Sequence, residues 1–399
     1  MKTREVKLGE VANVKGGKRI PKGIGLINTP NGHPYIRVRD LNNKRVLELD
    51  NSYEYVDNET QKVISKYTVK TGDVVLSIVG TIGLVAIVGR TLDGANLTEN
   101  CVKLSSFHGV NRDFLYYYLR SDCGQQEIRC GTVGAVQAKL PIKNIQNIAI
   151  NLPDYTTQER IASLLLSIDR KIELNQKIND NLEQQAVTYF QELYIKNANP
   201  MCQIVTISDL GNVVGGSTPS KTKPEYYTNN GIAWITPKDL SINKSKFISH
   251  GENDITELGL KNSSATVMPK GTVLFSSRAP IGYIAIASNE VTTNQGFKSV
   301  VPYLEIGTAF VYFFLKHSLP VIESAASGST FKEISGSAMK NIPAIIPDRS
   351  TLDQFNSFCA PIFAQQKILE DQNYSLAMLR DSLLPKLMSG AIDIASIQL

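Results

Sequence analysis

The chain repeats itself, and this repetition constrains its fold more than any other feature. The segment "VKLGEVANVKGGKRIPK" (Val6–Lys22) matches "VTISDLGNVVGGSTPSK" (Val205–Lys221) at an offset of 199 residues. At the same offset, "YIRVRDL" (Tyr35–Leu41) matches "WITPKDL" (Trp234–Leu240). A fixed spacing between similar segments marks a structure built from related units. Because 399 residues also suit two or more domains, we predict two similar domains.

A third pair of matching segments is apolar. "VVLSIVGTIGLVAIV" (Val74–Val88) matches "VLFSSRAPIGYIAIA" (Val273–Ala287) in the same register. A membrane span needs about 20 apolar residues, and these runs are too short. Val and Ile dominate and glycine interrupts the middle, which predicts two buried strands joined by a tight turn. The copies differ most at that turn, where Ile78–Thr81 stands against Ser277–Pro280.

Each half ends in a helical pattern of apolar residues three and four positions apart. Thr156 with Glu159, and Ser350 with Asp353, predict a capped helix start in each half. This spacing is typical of a coiled-coil seam, which serves helix pairing or partner binding. The seam residues are Ile161, Leu165, Ile168, Ile172, Leu182, Tyr189 and Leu193 in the first helix, and Phe355, Phe358, Ile362, Leu369, Leu376, Leu379 and Leu383 in the second.

Polar residues occupy two intermediate positions in each seam. They are Asn175 and Asn179 in the first helix and Gln365 and Gln372 in the second. Such positions fix register and partner choice at some cost in stability. Each helix covers about 35 residues, or roughly 50 Å. We expect the helices to pack on each other and leave apolar surface for a partner; the alternative is that each folds back on its own domain.

The charge distribution permits a polyanionic partner without requiring one. The net charge is +5; residues 1–199 contain 26 Lys/Arg and 21 Asp/Glu, and the remaining residues contain 16 of each. A mildly basic enzyme has the same balance, so any nucleic-acid surface must come from local patches. The five cysteines form no CxxC pair and the N-terminus has no apolar signal region. These features predict free thiols and a cytoplasmic protein without membrane association.

Sequence motifs for catalysis are missing. "GGSTPSKT" has Ser220 where a phosphate-binding P-loop needs glycine, and HExxH, GxSxG and metal-spaced His/Cys sets are absent. Asp154, Asp169 and Lys171 resemble a nuclease carboxylate–lysine set. However, Asp169 and Lys171 are two apart on a predicted helix and do not share a face, so we interpret them as helix-surface charge. A duplicated chain without catalytic motifs favours a binding protein, with no metal or cofactor of its own.

Six segments, spread over nearly the whole chain, have features typical of one protein family: "LLPKLMSGAI" (Leu383–Ile392), "WITPKDL", "VLFSSRAPIGYIAI", "TNQGFK" (Thr293–Lys298), "GSTFKEIS" (Gly328–Ser335) and "GTVGAVQAKLPIKNIQNIAINLP" (Gly131–Pro153). On these segments the sequence resembles the specificity subunits of type I restriction-modification systems. Three differences blur the helix starts and the end. The first helix begins "YTTQERI" and keeps only Gln158 in the expected frame, the second begins "PDRSTLDQF" without the usual Glu-Gln pair, and Ala391 stands where an acidic residue is frequent.

The resemblance implies a mixed α/β (α+β) fold with an internal pseudo-two-fold repeat. Target-recognition domains are expected at residues 1–153 and 200–347, separated by two long antiparallel spacer helices at 154–199 and 348–399. Each domain would read one half of a split double-stranded DNA target, and the helices would set the gap. Two modification subunits would dock on the helices and methylate adenine with S-adenosylmethionine. Two ATP- and Mg-dependent restriction/translocase subunits would complete the assembly, and this chain would not be catalytic.

Candidate DNA-binding residues follow from the chemistry of DNA. Lys and Arg neutralise phosphates, Arg also binds guanine, and Asn or Gln binds adenine. In contrast, we expect structural hydrogen bonds from Asp40 and Asp239, and core positions for Tyr35 and Trp234. The candidates are Lys18, Arg19, Arg37, Arg39, Gln137 and Lys139 in the first domain, and Thr236, Lys238, Arg278, Gln295, Lys298 and Lys332 in the second.

Two other functions remain open on the sequence alone. One is a stand-alone or truncated DNA-modifying enzyme, and the other is a helical scaffold without a DNA role. Binding of S-adenosylmethionine by the isolated chain would favour the first. Failure to bind DNA in the presence of a modification subunit would favour the second.

Overall fold

The computed structural model describes residues 2–41, 44–134, 136–193, 203–328 and 332–394. The chain forms two compact units. The first consists of Met1–Lys171 with Ser375–Leu399, and the second of Ile172–Tyr374. The α/β class and the two copies of one domain are therefore confirmed, although the compact units do not coincide with the sequence repeats.

The first unit contains three small sheets. A five-stranded sheet has the order β2-β9-β6-β7-β4, a three-stranded sheet has the order β5-β3-β8, and β1 pairs with β10. The strands are β1 (Thr3–Lys7), β2 (Asn13–Gly16), β3 (Pro34–Ile36), β4 (Val46–Leu47), β5 (Glu54–Tyr55), β6 (Val74–Ser77), β7 (Val85–Val88), β8 (Asn96–Leu97), β9 (Cys101–Ser105) and β10 (Ala149–Pro153). The helices are α1 (Leu8–Val11), α2 (Asn58–Ile64), α3 (Arg112–Arg120), α4 (Asp122–Gly131), α5 (Ile142–Gln146) and the beginning of α6 (Tyr155–Gln191).

The second unit repeats this strand order, with one further strand in its second sheet. Its five-stranded sheet runs β12-β20-β17-β18-β15, a second sheet runs β13-β16-β14-β19, and β11 pairs with β21. The strands are β11 (Gln203–Thr206), β12 (Gly211–Gly215), β13 (Tyr227–Thr228), β14 (Ile232–Ile235), β15 (Phe247–Ile248), β16 (Asn253–Ile255), β17 (Val273–Ser277), β18 (Ile281–Ala287), β19 (Thr292–Thr293), β20 (Lys298–Pro302) and β21 (Pro343–Ile346). The helices are α7 (Ile207–Leu210), α8 (Pro237–Ile242), α9 (Glu257–Lys261), α10 (Thr308–His317), α11 (Leu319–Ser324), α12 (Gly336–Lys340) and most of α13 (Arg349–Ser389).

The two apolar runs form antiparallel strand pairs, as predicted. β6 pairs with β7 in the first unit, and β17 pairs with β18 in the second. Successive side chains of a strand point to opposite faces. Accordingly, Val74 packs into the core beneath α3, whereas Val75 packs into a separate apolar cluster on the other face. The strands carry apolar residues on both faces because both faces are covered.

Both long helices form, and each begins one residue before its predicted cap. The Asp154 carboxylate accepts hydrogen bonds from the backbone N–H of Thr157 at 2.9 Å and from its hydroxyl at 2.7 Å. Asp348 does the same for Thr351 at 3.0 and 2.7 Å. The predicted caps at Thr156 and Ser350 are therefore wrong, because an aspartate two residues earlier satisfies the free N–H groups.

In each unit the two helix portions run antiparallel. In the first unit Ile161 and Leu165 of α6 share a core with Leu387 and Met388 of α13. This core also contains residues of the sheet and of α3, so the helices contact their own domain as well as each other. Both alternatives drawn from the sequence thus occur together.

In the second unit the helices meet through polar side chains as well. The amide nitrogen of Asn175 donates to the side-chain oxygens of Asn373 at 2.9 Å and Gln372 at 3.3 Å. Gln366 donates to the backbone carbonyl of Asn179 at 3.1 Å. The predicted polar positions at Asn175, Asn179 and Gln372 are confirmed. The prediction for Gln365 is wrong, because Gln365 is exposed and its neighbour Gln366 is buried in the helix contact.

The interpretation of Asp169 as a helix-surface charge is wrong. The exposed fraction of Asp169 is 5%. Arg380 of α13 donates to one carboxylate oxygen at 2.8 Å, and the Tyr117 hydroxyl donates to the other at 2.6 Å. The prediction failed because the residue that compensates this acid lies 211 positions away in the sequence.

Two further observations concern the described residues alone. None of their helices is long and apolar enough to span a membrane. Their four cysteines, Cys101, Cys123, Cys130 and Cys359, are free thiols, whereas Cys202 lies outside the described residues.

Candidate nucleic-acid interface

A serine holds the turn that follows β6 in the first unit. The Ser77 hydroxyl donates to the carbonyl oxygen of Thr81 at 2.6 Å and accepts from the backbone N–H of Leu84 at 2.8 Å. Gly80 adopts a left-handed conformation with φ of +77°. The turn is therefore closed by a buried side chain and presents Val79 at its half-exposed rim.

The second unit repeats this turn with other residues. The Ser276 hydroxyl donates to the carbonyl oxygen of Pro280 and accepts from the backbone N–H of Tyr283, both at 2.8 Å. Ala279, with φ of +57°, takes the left-handed position. Arg278 therefore occupies the place that Val79 occupies in the first unit.

A loop packs against each turn. In the first unit the N–H of Leu140 donates to the carbonyl of Ile78 at 3.0 Å, and Val133 and Lys139 exchange two backbone hydrogen bonds across the loop. This arrangement brings Lys139 into an antiparallel bridge with Val79. The loop thus completes a rim in which one apolar and one basic residue stand opposite each other.

The loop of the second unit follows the same hydrogen-bond pattern. The N–H of Ile334 donates to the carbonyl of Ser277 at 3.1 Å, and Ser327 and Glu333 exchange two backbone bonds. Glu333 therefore bridges Arg278. Nη1 of Arg278 donates to the Glu333 carboxylate at 3.2 Å, and Nζ of Lys298 lies 3.9 Å from its other oxygen. Both Arg278 and Lys298 thus share one acid that the sequence analysis did not select.

A second pair of side chains lies beside each turn. In the first unit Nε of Arg19 donates to Glu99 at 2.5 Å. In the second unit the Thr218 hydroxyl donates to the side-chain oxygen of Gln295. Glu99 directly precedes Asn100, whose carbonyl accepts from the N–H of Ile78 at the base of the turn. The equivalent pairs therefore differ in charge while occupying matching places.

Tyr35 and Trp234 support the segments that carry these side chains. The Tyr35 hydroxyl donates to the carbonyl of Lys18 at 2.8 Å, and the Trp234 indole donates to the carbonyl of Ser217 at 3.0 Å. Both rings are buried, as expected for core residues. Burial also raises the pKa of Tyr35. The aromatic rings therefore position the loops and are not available for stacking on bases.

Arg37 and Arg39 belong to a charged cluster in the first unit. Both guanidinium groups contact Glu54, Arg39 at 2.7 Å. The Asp40 carboxylate accepts from the backbone N–H of Arg37 at 2.7 Å and lies 3.5 Å from Nε of Arg39. Burial raises the pKa of Asp40 to about 6, although Arg39 acts in the opposite direction. The structural role predicted for Asp40 is confirmed.

Thr236 and Lys238 also have partners within the second unit. The Thr236 hydroxyl donates to Asp239 at 2.6 Å at the start of α8. Asp239 also accepts from the backbone N–H of Thr236 at 2.7 Å and of Glu252 at 2.8 Å, which confirms its structural role. Lys238 is exposed and lies 2.5 Å from Glu252. Thr236 therefore acts as a helix cap, whereas Lys238 lies at the surface.

The remaining candidates lie at the surface. Lys18 is exposed, with its ammonium 5.6 Å from the centre of the Tyr67 ring. Gln137, Lys139, Gln295 and Lys332 are exposed on the loops described above. Parts of these loops, residue 135 and residues 329–331, lie outside the described residues. Among the described residues, no group of His, Cys, Asp and Glu is arranged to hold a metal ion.

The geometry thus consists of one frame built twice, with different side chains at its rim. The family model of the type I restriction modification DNA specificity domain matches residues 2–184 and again residues 201–371. These two matches cover most of the chain. The chain belongs to this family. Each half of the sequence therefore carries one DNA specificity domain.

Individual relatives agree with this assignment. The chain is 42% identical over 162 residues to the specificity subunit of the type I restriction enzyme MjaIX from Methanocaldococcus jannaschii, a match that covers 40% of this chain and 37% of that subunit. It is 23% identical over 342 residues to the HindI specificity subunit from Haemophilus influenzae, covering 67% and 73%. The crystal structure of a type I S subunit from M. genitalium has the same fold, with a TM-score of 0.60, 16% identity and coverage of 97% and 99%.

The predicted helix residues of this specificity-domain protein fall into three groups by burial. Phe358 and Leu379 are 40% and 47% exposed and are available to a partner. The half-buried residues are Ile172, Leu182, Tyr189, Leu193, Leu376 and Leu383. Fully buried residues belong to the interior of the chain: Ile161, Leu165, Ile168, Phe355, Ile362 and Leu369.

Glu99 and Glu333 are the residues of the DNA specificity domains that the sequence analysis missed. They are acidic, and a search for phosphate-binding groups selects basic residues. The repeat as read from the sequence hides Glu333, because matching "KNIQNIAI" (Lys143–Ile150) with "KNIPAIIP" (Lys340–Pro347) places Gly336 opposite Lys139. The equivalent hydrogen bonds of Leu140 and Ile334 in the structure place Glu333 there instead. A change from Lys to Glu between two equivalent loops indicates a position whose chemistry differs between the domains.

Proposed function

We propose that this chain is the DNA-sequence specificity subunit of a type I restriction-modification complex. The observation that carries the proposal is the shared turn-and-loop frame, which presents Val79 and Lys139 in one unit and Arg278 and Glu333 in the other. A common frame with different exposed chemistry suits two domains that read unlike halves of one target. Side chains at base edges supply this discrimination, and basic groups add affinity through phosphates.

In this proposal residues 1–153 and 200–347 are the target-recognition domains, and segments 154–199 and 348–399 are the spacers. The spacer helices are continuous over 37 and 41 residues. An α-helix has a fixed rise of about 1.5 Å per residue. Helices of defined length thus set the gap between the two half-targets.

The modification subunits dock on exposed apolar residues of these helices, including Phe358 and Leu379. Two such subunits bind S-adenosylmethionine and methylate adenine in each half-target. Restriction/translocase subunits that use ATP and Mg²⁺ join the same assembly. This chain supplies recognition and has no catalytic site of its own.

Methylation by the assembled complex tests the proposal. The chain is co-produced with its modification subunit, and methylated positions are read by sequencing. We expect methylated adenines in one bipartite sequence with a constant gap. Methylation without sequence preference would contradict the proposal, as would S-adenosylmethionine binding and methyl transfer by the isolated chain.

Docking is tested by charge substitution on α13. Phe358→Asp and Leu379→Asp place a charge in the proposed contact and should each weaken capture of the modification subunit at least about tenfold, because a desolvated, unpaired carboxylate is costly. Gln365→Asp is the matched control, since Gln365 is exposed on the same helix. Unchanged capture by both variants would remove Phe358 and Leu379 from the interface.

A further inference from the structure

The equivalent bridges at the two turns differ in the chemistry that they present. In the first unit Val79 stands opposite Lys139, and in the second Arg278 stands opposite Glu333. The backbone hydrogen bonds around both bridges are the same. The two bridges therefore share these backbone hydrogen bonds and differ in the side chains that they present.

Arg278 is held and yet accessible. Its side chain is 39% exposed, and that of Glu333 is 37% exposed. Within the described part of the chain, Nη1 is the only nitrogen of Arg278 that donates a hydrogen bond. The planar guanidinium thus retains donors that point away from Glu333, in an orientation fixed by the ion pair.

This arrangement fits a base better than a phosphate. The Glu333 carboxylate offsets part of the Arg278 charge and repels a phosphate group, which weakens purely electrostatic binding. A guanine base instead offers two neutral acceptors, N7 and O6, that match the paired donors of an oriented arginine. Lys298 lies 3.9 Å from the same carboxylate but its side chain is only 17% exposed, so Arg278 is the more accessible cation of the two.

We infer that Arg278 reads a guanine in the half-target bound by the second domain, with Glu333 as the residue that positions it. The inference rests on the proposed function and adds to it which base Arg278 contacts and which domain makes the contact. Val79, at the equivalent place, has no hydrogen-bond donor in its side chain and does not make this contact. The first half-target therefore has no requirement for guanine imposed from this position.

Three substitutions in the complete methyltransferase complex test the inference. Arg278→Ala removes the donors and should relax one guanine position roughly 5- to 150-fold in relative methylation rate, while the first half-target stays unchanged. Arg278→Lys keeps the charge but lacks the planar fork, and it should relax the same position. Glu333→Gln should relax that position to a smaller extent, because the arginine is still present but less well oriented.

Arg349→Ala is the matched control. Arg349 forms an exposed ion pair with Asp353 at 2.9 Å in the same unit, on a helix and not on the sheet rim. Its loss should leave the target sequence unchanged. Thermal unfolding of each variant tests whether the chain remains folded. If Arg278→Ala does not fold, Arg278→Lys alone tests the contact with guanine.

Two results would overturn the inference. In one, the Arg278 variants methylate the wild-type target with unaltered preference, which makes the ion pair purely structural. In the other, they lose affinity equally on all DNA, with a smaller salt dependence, which marks a phosphate contact. If the wild-type complex has no bipartite target, the proposed function fails. If the wild-type complex has such a target and the Arg278 variants recognise the same target, only the inference about Arg278 fails.

Discussion

Nη1 of Arg380, on the second long helix, donates a hydrogen bond of 2.8 Å to Oδ1 of Asp169 on the first. The Tyr117 hydroxyl donates to the remaining carboxylate oxygen at 2.6 Å. Burial, together with the Asp169 charge, raises the pKa of Tyr117 far above its ordinary value, so the phenol stays a donor. One buried acid thus connects both helices and α3 within the first unit.

Loss of Arg380 should destabilise the first unit. Arg380→Met keeps the aliphatic volume but leaves the Asp169 charge buried without a cation, and we expect the free energy of unfolding to fall by about 3 kcal/mol. The double variant Asp169→Asn/Arg380→Met removes both charges and should recover most of this loss. Denaturant unfolding of the four proteins in a double-mutant cycle measures the coupling. Additive effects of the two substitutions would show that the pair is uncoupled.

The buried Lys246 of the second unit and its partner Glu183 should differ in how much each contributes to stability. The Lys246 ammonium contacts Glu183, donates to the side-chain oxygen of Gln366 at 2.6 Å, and lies 4.1 Å from the centre of the Phe363 ring. Glu183 also contacts Lys316 at 2.6 Å. Burial lowers the pKa of Lys246, so its charged state depends on Glu183.

Glu183→Leu should therefore cost more stability than Lys246→Met. The first removes the carboxylate that contacts the buried ammonium and should lower the free energy of unfolding by about 3 kcal/mol. The second leaves Glu183 with Lys316 and should cost only about 1 to 2 kcal/mol. Thermal unfolding of both variants under one set of conditions checks the order. The opposite order would show that Lys246 is stabilised chiefly by the aromatic rings.

Adjacent glycines in the second unit offer a matched test of the loop that bears Thr218. A Cβ atom at Gly216 would lie 2.0 Å from the carbonyl oxygen of Asn294, whereas a Cβ at Gly215 would meet nothing within 4 Å. Gly216→Ala should therefore lower the free energy of unfolding by about 2 kcal/mol, and Gly215→Ala should change it by less than about 0.5 kcal/mol. Equal effects in calorimetry would show that the Gly216 segment moves without cost.

Asp40 should make stability depend on pH in an unusual direction for an aspartate. Its pKa in the folded chain, about 6, lies above the ordinary value of 3.8 because the carboxyl is buried. The folded state thus holds the proton more tightly, and this contribution to stability is present below pH 3.8 and is lost as the pH rises to about 6. Asp40→Asn lacks this titration. The difference in unfolding temperature between wild type and variant should therefore shift against the wild type between pH 4 and pH 7; a constant difference would contradict the raised pKa.

The repeat allowed much of the fold to be predicted, because it depends on local patterns that recur. The apolar run Val74–Val88 predicted a strand pair, and its copy predicted the same pair in the second half. The two long helices were likewise predictable, since a coiled-coil spacing depends on residues three and four positions apart in the sequence. Strand order within the sheets was not predicted, because it depends on contacts between segments far apart in sequence.

Two of the errors arise from partners that are distant in sequence, and others from small shifts in register. Asp169 seemed to be a surface charge because Arg380 lies 211 positions away. Gln365 was chosen over Gln366 because the spacing of apolar residues does not distinguish two adjacent positions at the edge of the helix contact. Glu333 was overlooked because its partnership with Arg278 depends on how a loop pairs with a turn. At the candidate site, residue types were therefore predictable, but their pairing was not.

The first compact unit draws on both ends of the chain, Met1–Lys171 and Ser375–Leu399. A gene exchange that replaces only the first segment would set a foreign Asp169 position against the resident Arg380. Such a hybrid should be least destabilised when the donor also carries an acid there, because Arg380 and the Tyr117 hydroxyl both bond to that carboxylate. The two ends of the chain are therefore expected to be exchanged best as a matched pair.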